Sequence, residues 1–388
     1  MTKRRREENQ SHSKKMKCNR DHLCGDVAIT IMQFLPCKDA INASSVNSAW
    51  LHAAKYVTQN LDCYGDDFCR VVQSSDGFFN SMSRFRGVHS ACFGFKSRYT
   101  IIDNKRVLLS DKFSQVILKS HKEQLDLFLS SIFGRLRATN ISIHISDHYR
   151  PFIDNVAIYG GLESLFLRGF NIGPQFLRGL SGMSIKRLCM TNCDTNFDGV
   201  QCVMDELKAL YIENSSSADN MLGLLNVKAK SLDSLQFIGA VSEGVVSNCR
   251  ISVDSLRSLV FSCDKGNTNS IALLNKIITN NPNLDSLSIL SYKANVISAI
   301  DSHSNIKNLR LILQPYNNHI QCNLSLGDVS KMRFVDSVVV DCSNQPNPMR
   351  HLNELSFYIP DSKKTMCMVG FDKETRRAVK HNSKVIWC

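Results

Sequence analysis

The chain has 388 residues, 43% of them hydrophobic and 21% charged, with a formal net charge of +12. Half of that excess sits in residues 1–20, where eight Lys and Arg residues face only Glu7 and Glu8. The remaining body is nearly balanced for its length, which argues against a nucleic-acid-binding surface, and no run approaches the 18 or so apolar residues that span a bilayer.

Residues 1–20 are too polar to bury a core and are expected to be a disordered basic tail. Their two clusters, Lys3–Arg6 and Lys14–Lys17, resemble nuclear-import signals, so cytoplasmic or nuclear residence is expected. No apolar stretch follows the charged start as a secretory signal would require. The 15 cysteines are odd in number and scattered. Cys189, Cys263 and Cys342 fall in strand-like apolar runs, which suits reduced cysteines acting as small core residues in an intracellular protein.

Residues 21–58 predict three short helices. Asp26 is placed to cap the first, whose apolar Val27, Ile31, Phe34 and Leu35 fall on one helical face before Pro36 stops it. Asp39 is expected to cap a second helix around Ala40 and Ile41. Ser45 is expected to cap a third, with a stripe of Val46, Ala49, Trp50, Ala53 and Val57. These stripes exceed what three short helices bury among themselves, and a leftover apolar face marks a partner site. Residues 59–110 read as a linker or as first irregular repeats. Gly65-Asp66-Asp67 and Ser74-Ser75-Asp76-Gly77 are expected to be turns, and Cys92–Phe95 is a candidate first strand.

From about 111 to 360 one hexamer recurs, two aliphatics spaced by two residues and a third two further on. It starts at Phe113, Ala138, Leu162, Ile185, Leu207, Leu232, Leu256, Leu284 and Ile306, with weaker copies at Val335 and Leu352. The central residues from Val116 to Leu309 advance by 25, 24, 23, 22, 25, 24, 28 and 22. Such regular self-similarity is the signature of a repeat array. Gln124–Phe133, Asn220–Val227 and Ile271–Ile278 have helical spacing, and Asn281-Pro282-Asn283 ends the last. The expected fold is therefore α/β: a small three-helix segment, then a solenoid with a parallel sheet on its concave face, with residues 361–388 as a C-terminal cap. Strand alternation points Phe166, Arg168, Arg187, Tyr211, Glu213 and Arg310 outward, together with Gln236, Ile238 and Asn308. Phe, Tyr and Arg are favoured interface anchors, so this set is the candidate target-binding surface.

Chemistry-bearing motifs are scarce. Cys18, His22, Cys24 and nearby His12 lack the paired spacing of a zinc site. Neither a phosphate-binding glycine loop nor a nucleophile elbow is present. His144, with Asp147 three residues on, is expected to be a surface histidine. No enzymatic activity, cofactor or metal is expected.

Residues 23–57 resemble an F-box. Leu23, Asp26, Val27, Ile31, Met32, Phe34, Leu35, Pro36, Asp39, Val46 and Trp50 fall in that family's register without a gap. The departures are Cys24 for proline, Asp26 for glutamate, Ala28 and Ala40 for larger aliphatics, and Asn47 for cysteine. The small residues are expected to weaken the docking surface. The repeats resemble a degenerate leucine-rich-repeat array, because the position usually Asn or Cys is Cys193 in one repeat. Elsewhere it is Phe170, Ser215, Ala240, Asp264, Tyr292 or Gln314. The buried ladder that this residue normally builds is therefore expected to be mostly missing.

The resemblance implies a substrate receptor of a Skp1–cullin–F-box ubiquitin ligase. Leu23, Val27, Ile31, Leu35, Pro36, Val46 and Trp50 would dock on a Skp1-like adaptor, and through it a cullin. The repeats would hold an unidentified protein target for ubiquitination, raising its local concentration without covalent chemistry. The alternative is an interaction scaffold acting outside a ligase.

Overall fold

The structure is a computed structural model and describes residues 26–95, 99–102, 105–108, 122–145, 150–195, 202–214, 229–239, 241–249, 251, 253–263, 268–291, 305–312, 337–341, 365–369 and 385–387. It is an α/β protein built on parallel strands, in two compact units, Met1–Gly169 and Phe170–Cys388.

The first unit opens with three helices: α1 over 26–34, α2 (Cys37–Ser44) and α3 (Ser48–Ala54). Asp26 is already helical, so the first cap lies outside the described residues. The second helix starts earlier than expected. Its N-cap position is Pro36, whose carbonyl accepts the Ala40 N–H at 2.9 Å, and Asp39 lies in the first turn. The third is capped by Asn47 rather than Ser45. Asn47 Oδ1 accepts the Trp50 N–H at 3.1 Å, while Ser45 closes α2. Asparagine is as good an N-cap as serine, and the extended backbone of Asn47 suits the role.

The inner side of the three helices packs on the adjoining stretch of the chain. Met32, Ala40, Ala53, Ala54 and Val57 are buried. The buried Gln59 side chain donates to the Met32 carbonyl at 3.2 Å. The Cys37 thiol points at Met82 Sδ, 3.8 Å away. The segment is thus one layer of the first unit rather than an appendage.

Next come β1 (Thr58–Tyr64), α4 (Asp66–Gln73), α5 (Ser75–Met82) and β2 (Gly87–Gly94). Ser74-Ser75-Asp76-Gly77, expected as a turn, instead starts α5, with only Ser74 between the helices. A hairpin of β3 (Tyr99–Ile102) and β4 (Lys105–Leu108) is antiparallel. Then α6 (Lys122–Arg135), β5 (Ala138–His144), the short β6 (Phe152–Ile153) and β7 (Ser164–Arg168) complete the unit. Strands β1, β2, β5 and β7 are parallel neighbours, with Leu61, Ala91, Ile141 and Leu165 in one cross-strand row. Gly94 sits at φ +127°, and a Cβ there would collide with the His144 backbone, so only glycine fits. Under the sheet Phe128 of α6 lies 5.4–6.4 Å from the rings of Phe68, Phe78, Phe79 and Phe93, edge to face with Phe68 and Phe93 and tilted to Phe78 and Phe79.

The second unit begins with β8 (Asn171–Ile172), α7 (Pro174–Leu180), β9 (Arg187–Thr191) and β10 (Asp194–Thr195). It continues through β11 (Ala209–Asn214), β12 (Ser234–Gly239), α8 (Glu243–Asn248), β13 (Ser258–Cys263), α9 (Thr268–Asn280) and β14 (Ser286–Ser291). Strands β15 (Asn308–Ile312), β16 (Ser337–Asp341), β17 (Thr365–Val369) and β18 (Val385–Trp387) end it. Leu188, Leu210, Leu235, Leu259, Leu287, Leu309, Val338 and Met366 pair across neighbouring parallel strands. The first seven are the central residues of the recurring hexamers. β17 and β18 extend the sheet into 361–388, the stretch read as a cap. The hexamers at Phe113 and Leu352, and the helix over 220–227, lie outside the described residues.

Cross-repeat polar rungs occur on the entry side of the strands, donated by the residue just before the hexamers at Ile185, Leu256, Leu284 and Ile306. Ser184 donates to Glu206, Ser255 to the Lys230 and Leu232 carbonyls, Asn283 to the Asp254 carbonyl and Asn305 to the Pro282 carbonyl, all at 2.6–3.2 Å. At the expected exit position, Phe170 and Cys193 are fully buried, and the other candidates lie outside the described residues. Buried Asn281 ties two repeats together: its Oδ1 accepts the Val253 N–H at 2.7 Å and its Nδ2 donates to the Ile277 carbonyl at 2.6 Å. Asn281→Ala strands a buried donor and acceptor. It is expected to cost roughly 2–4 kcal/mol, read as a lower urea midpoint.

Candidate functional site

Two surfaces hold the residues singled out in the sequence. The first is the outer side of the three-helix segment. On α1 the exposed stripe is Val27 (52%), Ile31 (41%) and Phe34 (82%), with Val46 (70%) just before α3 and Leu51 (40%) on it. Pro36 is exposed, Leu35 and Trp50 are half-buried, and Leu23 lies outside the described residues. Ala28 and Ala40 face inward and are fully covered, so they are packing residues and do not weaken the outer face. One position on, the helical turn carries Val27 out while Ala28 goes in. Phe34 and Leu51 belong to the exposed set although neither was among the candidate docking residues. For Phe34 the signal was its i+7 spacing from Val27.

The second surface is the outward row of the strands. In the first unit, Phe166 stacks on His144, with ring centroids 4.6 Å apart and planes at 24°. Ser142 Oγ and His144 Nε2 are 2.8 Å apart. His144 is thus half-buried in a small cluster and not a freely solvated surface group. Burial, and then the neighbouring Arg168 charge, hold its pKa below the usual 6.5. Tyr64, in the same cross-strand row, has its pKa raised by burial and by a hydrogen bond with Cys92.

The His144 shift has a stability consequence. The unfolded chain takes up the imidazole proton first as pH falls through 6.5, so the folded state loses stability from there down to the lower folded pKa. Thermal melts at pH 7.5 and 5.5 are expected to differ more for the natural chain than for His144→Gln.

In the second unit, the Tyr211 hydroxyl donates to Glu213 Oε2 at 2.8 Å. Arg187 and Arg310 are exposed. Arg187 is one strand from the Tyr211 strand, while Arg310 is four strands away, about 19 Å at 4.8 Å per strand. These residues therefore line a broad face and do not converge on a pocket. Cys189 lies on this face, half-buried opposite Tyr211, and not in the core as its apolar setting implied.

The eight cysteines whose side chains are described carry free thiols. Burial pushes Cys37 up to about 11, and Cys63 and Cys189 up to about 12. They stay protonated at neutral pH and are poor nucleophiles. Among the described residues no three His, Cys, Asp or Glu side chains gather as a metal ion requires, and no helix is long and apolar enough to cross a membrane. Cys18, His22, Cys24, His12 and Asp147 lie outside the described residues.

No family model and no curated protein matches the chain.

Proposed function

We propose that the chain is a substrate-recognition adaptor that docks on a Skp1-like protein through its three N-terminal helices. Its parallel repeats hold a target protein for ubiquitination. The carrying observation is the exposed apolar stripe of Val27, Ile31 and Phe34, with Val46 and Leu51 nearby, on helices whose other face is fully buried. A segment amphipathic on one side has one use for its apolar residues; a segment apolar on both sides has a second surface to cover. The F-box register of Val27, Ile31, Phe34 and Val46 supports a Skp1-like adaptor as the cover.

The target-binding part rests on the outward strand rows. Arg187 and Arg310 reach solvent, while Phe166 and Tyr211 are pre-set by His144 and Glu213. Side chains already held in one rotamer lose little entropy when a partner lands on them.

Calorimetric titration of the full chain with purified Skp1 tests the docking. Phe34→Arg is expected to weaken binding by about 1–3 kcal/mol, at an unchanged melting temperature. Equal binding by this variant would count against the stripe as the docking face.

A further inference from the structure

The turn between α2 and α3 carries two hydroxyls held by one arginine. Arg84 Nη1 donates to Ser45 Oγ at 2.8 Å and to Ser44 Oγ at 3.3 Å. Both hydroxyls in turn donate to the Ile41 carbonyl, at 3.2 and 2.7 Å. Ser44 is buried. Ser45 is exposed, and so are Val46, Asn47 and Ser48 after it, with Asn47 in extended backbone. This is a run that an enzyme can reach. Among the described residues, Arg84 donates to no other side chain, and no carboxylate lies within 4 Å of it. A guanidinium offers five donors in a planar fork shaped for phosphate or carboxylate, and two neutral hydroxyls use little of that capacity.

We propose that Ser45 is a phosphorylation site and that Arg84 is the receptor of its phosphate. A protein kinase supplies the group from ATP. Ser45 Oγ attacks the γ-phosphorus and forms the new O–P bond. The bond from that phosphorus to the β–γ bridging oxygen breaks, and ADP leaves with the electron pair. The hydroxyl proton passes to the kinase's general base. Arg84 stands within hydrogen-bond reach of Oγ before the reaction, so the phosphate gains a charge-assisted partner in place of the hydroxyl's bond to the Ile41 carbonyl, which is lost with the proton. The modification puts a charge of roughly −1.5 to −2 beside Val46 in the exposed apolar set. An apolar partner covering Val46 must then desolvate that charge. Phosphorylation of Ser45 therefore opposes docking of the Skp1-like adaptor; this consequence alone rests on the proposed function.

The test uses the full chain with phosphoserine encoded at position 45, and the phosphorus resonance titrated by NMR. The second phosphate pKa is expected below the usual value of about 6, and to return to it in Arg84→Gln. Arg84→Lys keeps the charge without the fork and is expected to fall between. Identical titration in all three overturns the receptor role. Incubation of the unmodified full chain with ATP-supplied cell lysate, followed by peptide mass spectrometry, is expected to place phosphate on Ser45. An unmodified Ser45 overturns the site. Skp1 binding is expected to drop by at least about tenfold on phosphorylation. Equal binding by both forms overturns the consequence for docking. Failure of the unmodified chain to bind Skp1 overturns the proposed function instead, and the titration and mapping still decide the phosphate site.

Discussion

Phe128→Ala is expected to destabilise the first unit by about 3–5 kcal/mol, a loss at the upper end for a single substitution. Phe128 has no exposed surface, and four other phenylalanine rings lie within 6.4 Å of it. Those rings come from α4, α5 and β2, so one side chain joins three elements. Truncation removes its transfer energy and leaves a cavity that the close-packed neighbouring rings cannot collapse to fill. With a slope of about 2 kcal/mol per molar urea, the midpoint falls by on the order of 2 M. Phe128→Leu refills part of the space and is expected to lose clearly less. A loss near zero for the alanine variant would mean that the aromatic cluster is not packed as described.

The second large effect is on binding. Val27→Glu combined with Ile31→Glu is expected to abolish Skp1 capture, by more than about 100-fold, with the melting temperature nearly unchanged. Both side chains are about half exposed, so carboxylates there stay in water in the free chain. On docking they would be buried against an apolar surface, which costs far more than the lost contacts. Met32→Glu, one position from Ile31, is expected to behave in the opposite way. Met32 is fully buried and its carbonyl accepts from Gln59, so this change unfolds the helices themselves. Deletion of 23–57 would be a poor substitute for the surface pair. It removes the cover from Gln59 and Met82 and confounds docking with folding.

The parallel strands were legible because repetition averages out local ambiguity. Each hexamer alone fits any buried strand, but a narrow spacing over eight intervals placed Leu188, Leu210, Leu235, Leu259, Leu287 and Leu309 in one row, where the strands pair them. The strands at 58–64 and 87–94 were harder to see. Their inward residues include Cys63 and Ala91, too small to look like a core, and an extra residue in β2, where Val88 pairs with Gln59 but Ser90 with Asn60, breaks the alternation of that strand. In β17 the residues that pair with Val338 and Val340 are Met366 and Met368, which no aliphatic pattern registers.

The polar rungs were missed for a different reason. Asn283 and Asn305 precede their hexamers, whereas the asparagine rule looks after them. On the three helices, apolar residues on both faces made the existence of an exposed apolar side legible but not its phase. Sequence spacing put Val27 and Ala28 in the same segment; only packing decided that Val27 turns out and Ala28 turns in. The outward strand row was legible as a direction, by alternation, and not as a site, because its members spread over many strands.

Hydrogen–deuterium exchange of the full chain with and without Skp1 tests the central claim most directly. Added protection is expected at 26–34 and 45–51, with α9 at 268–280 unchanged. Unchanged exchange at 26–34 and 45–51, under conditions where Skp1 is bound or saturating, would contradict it.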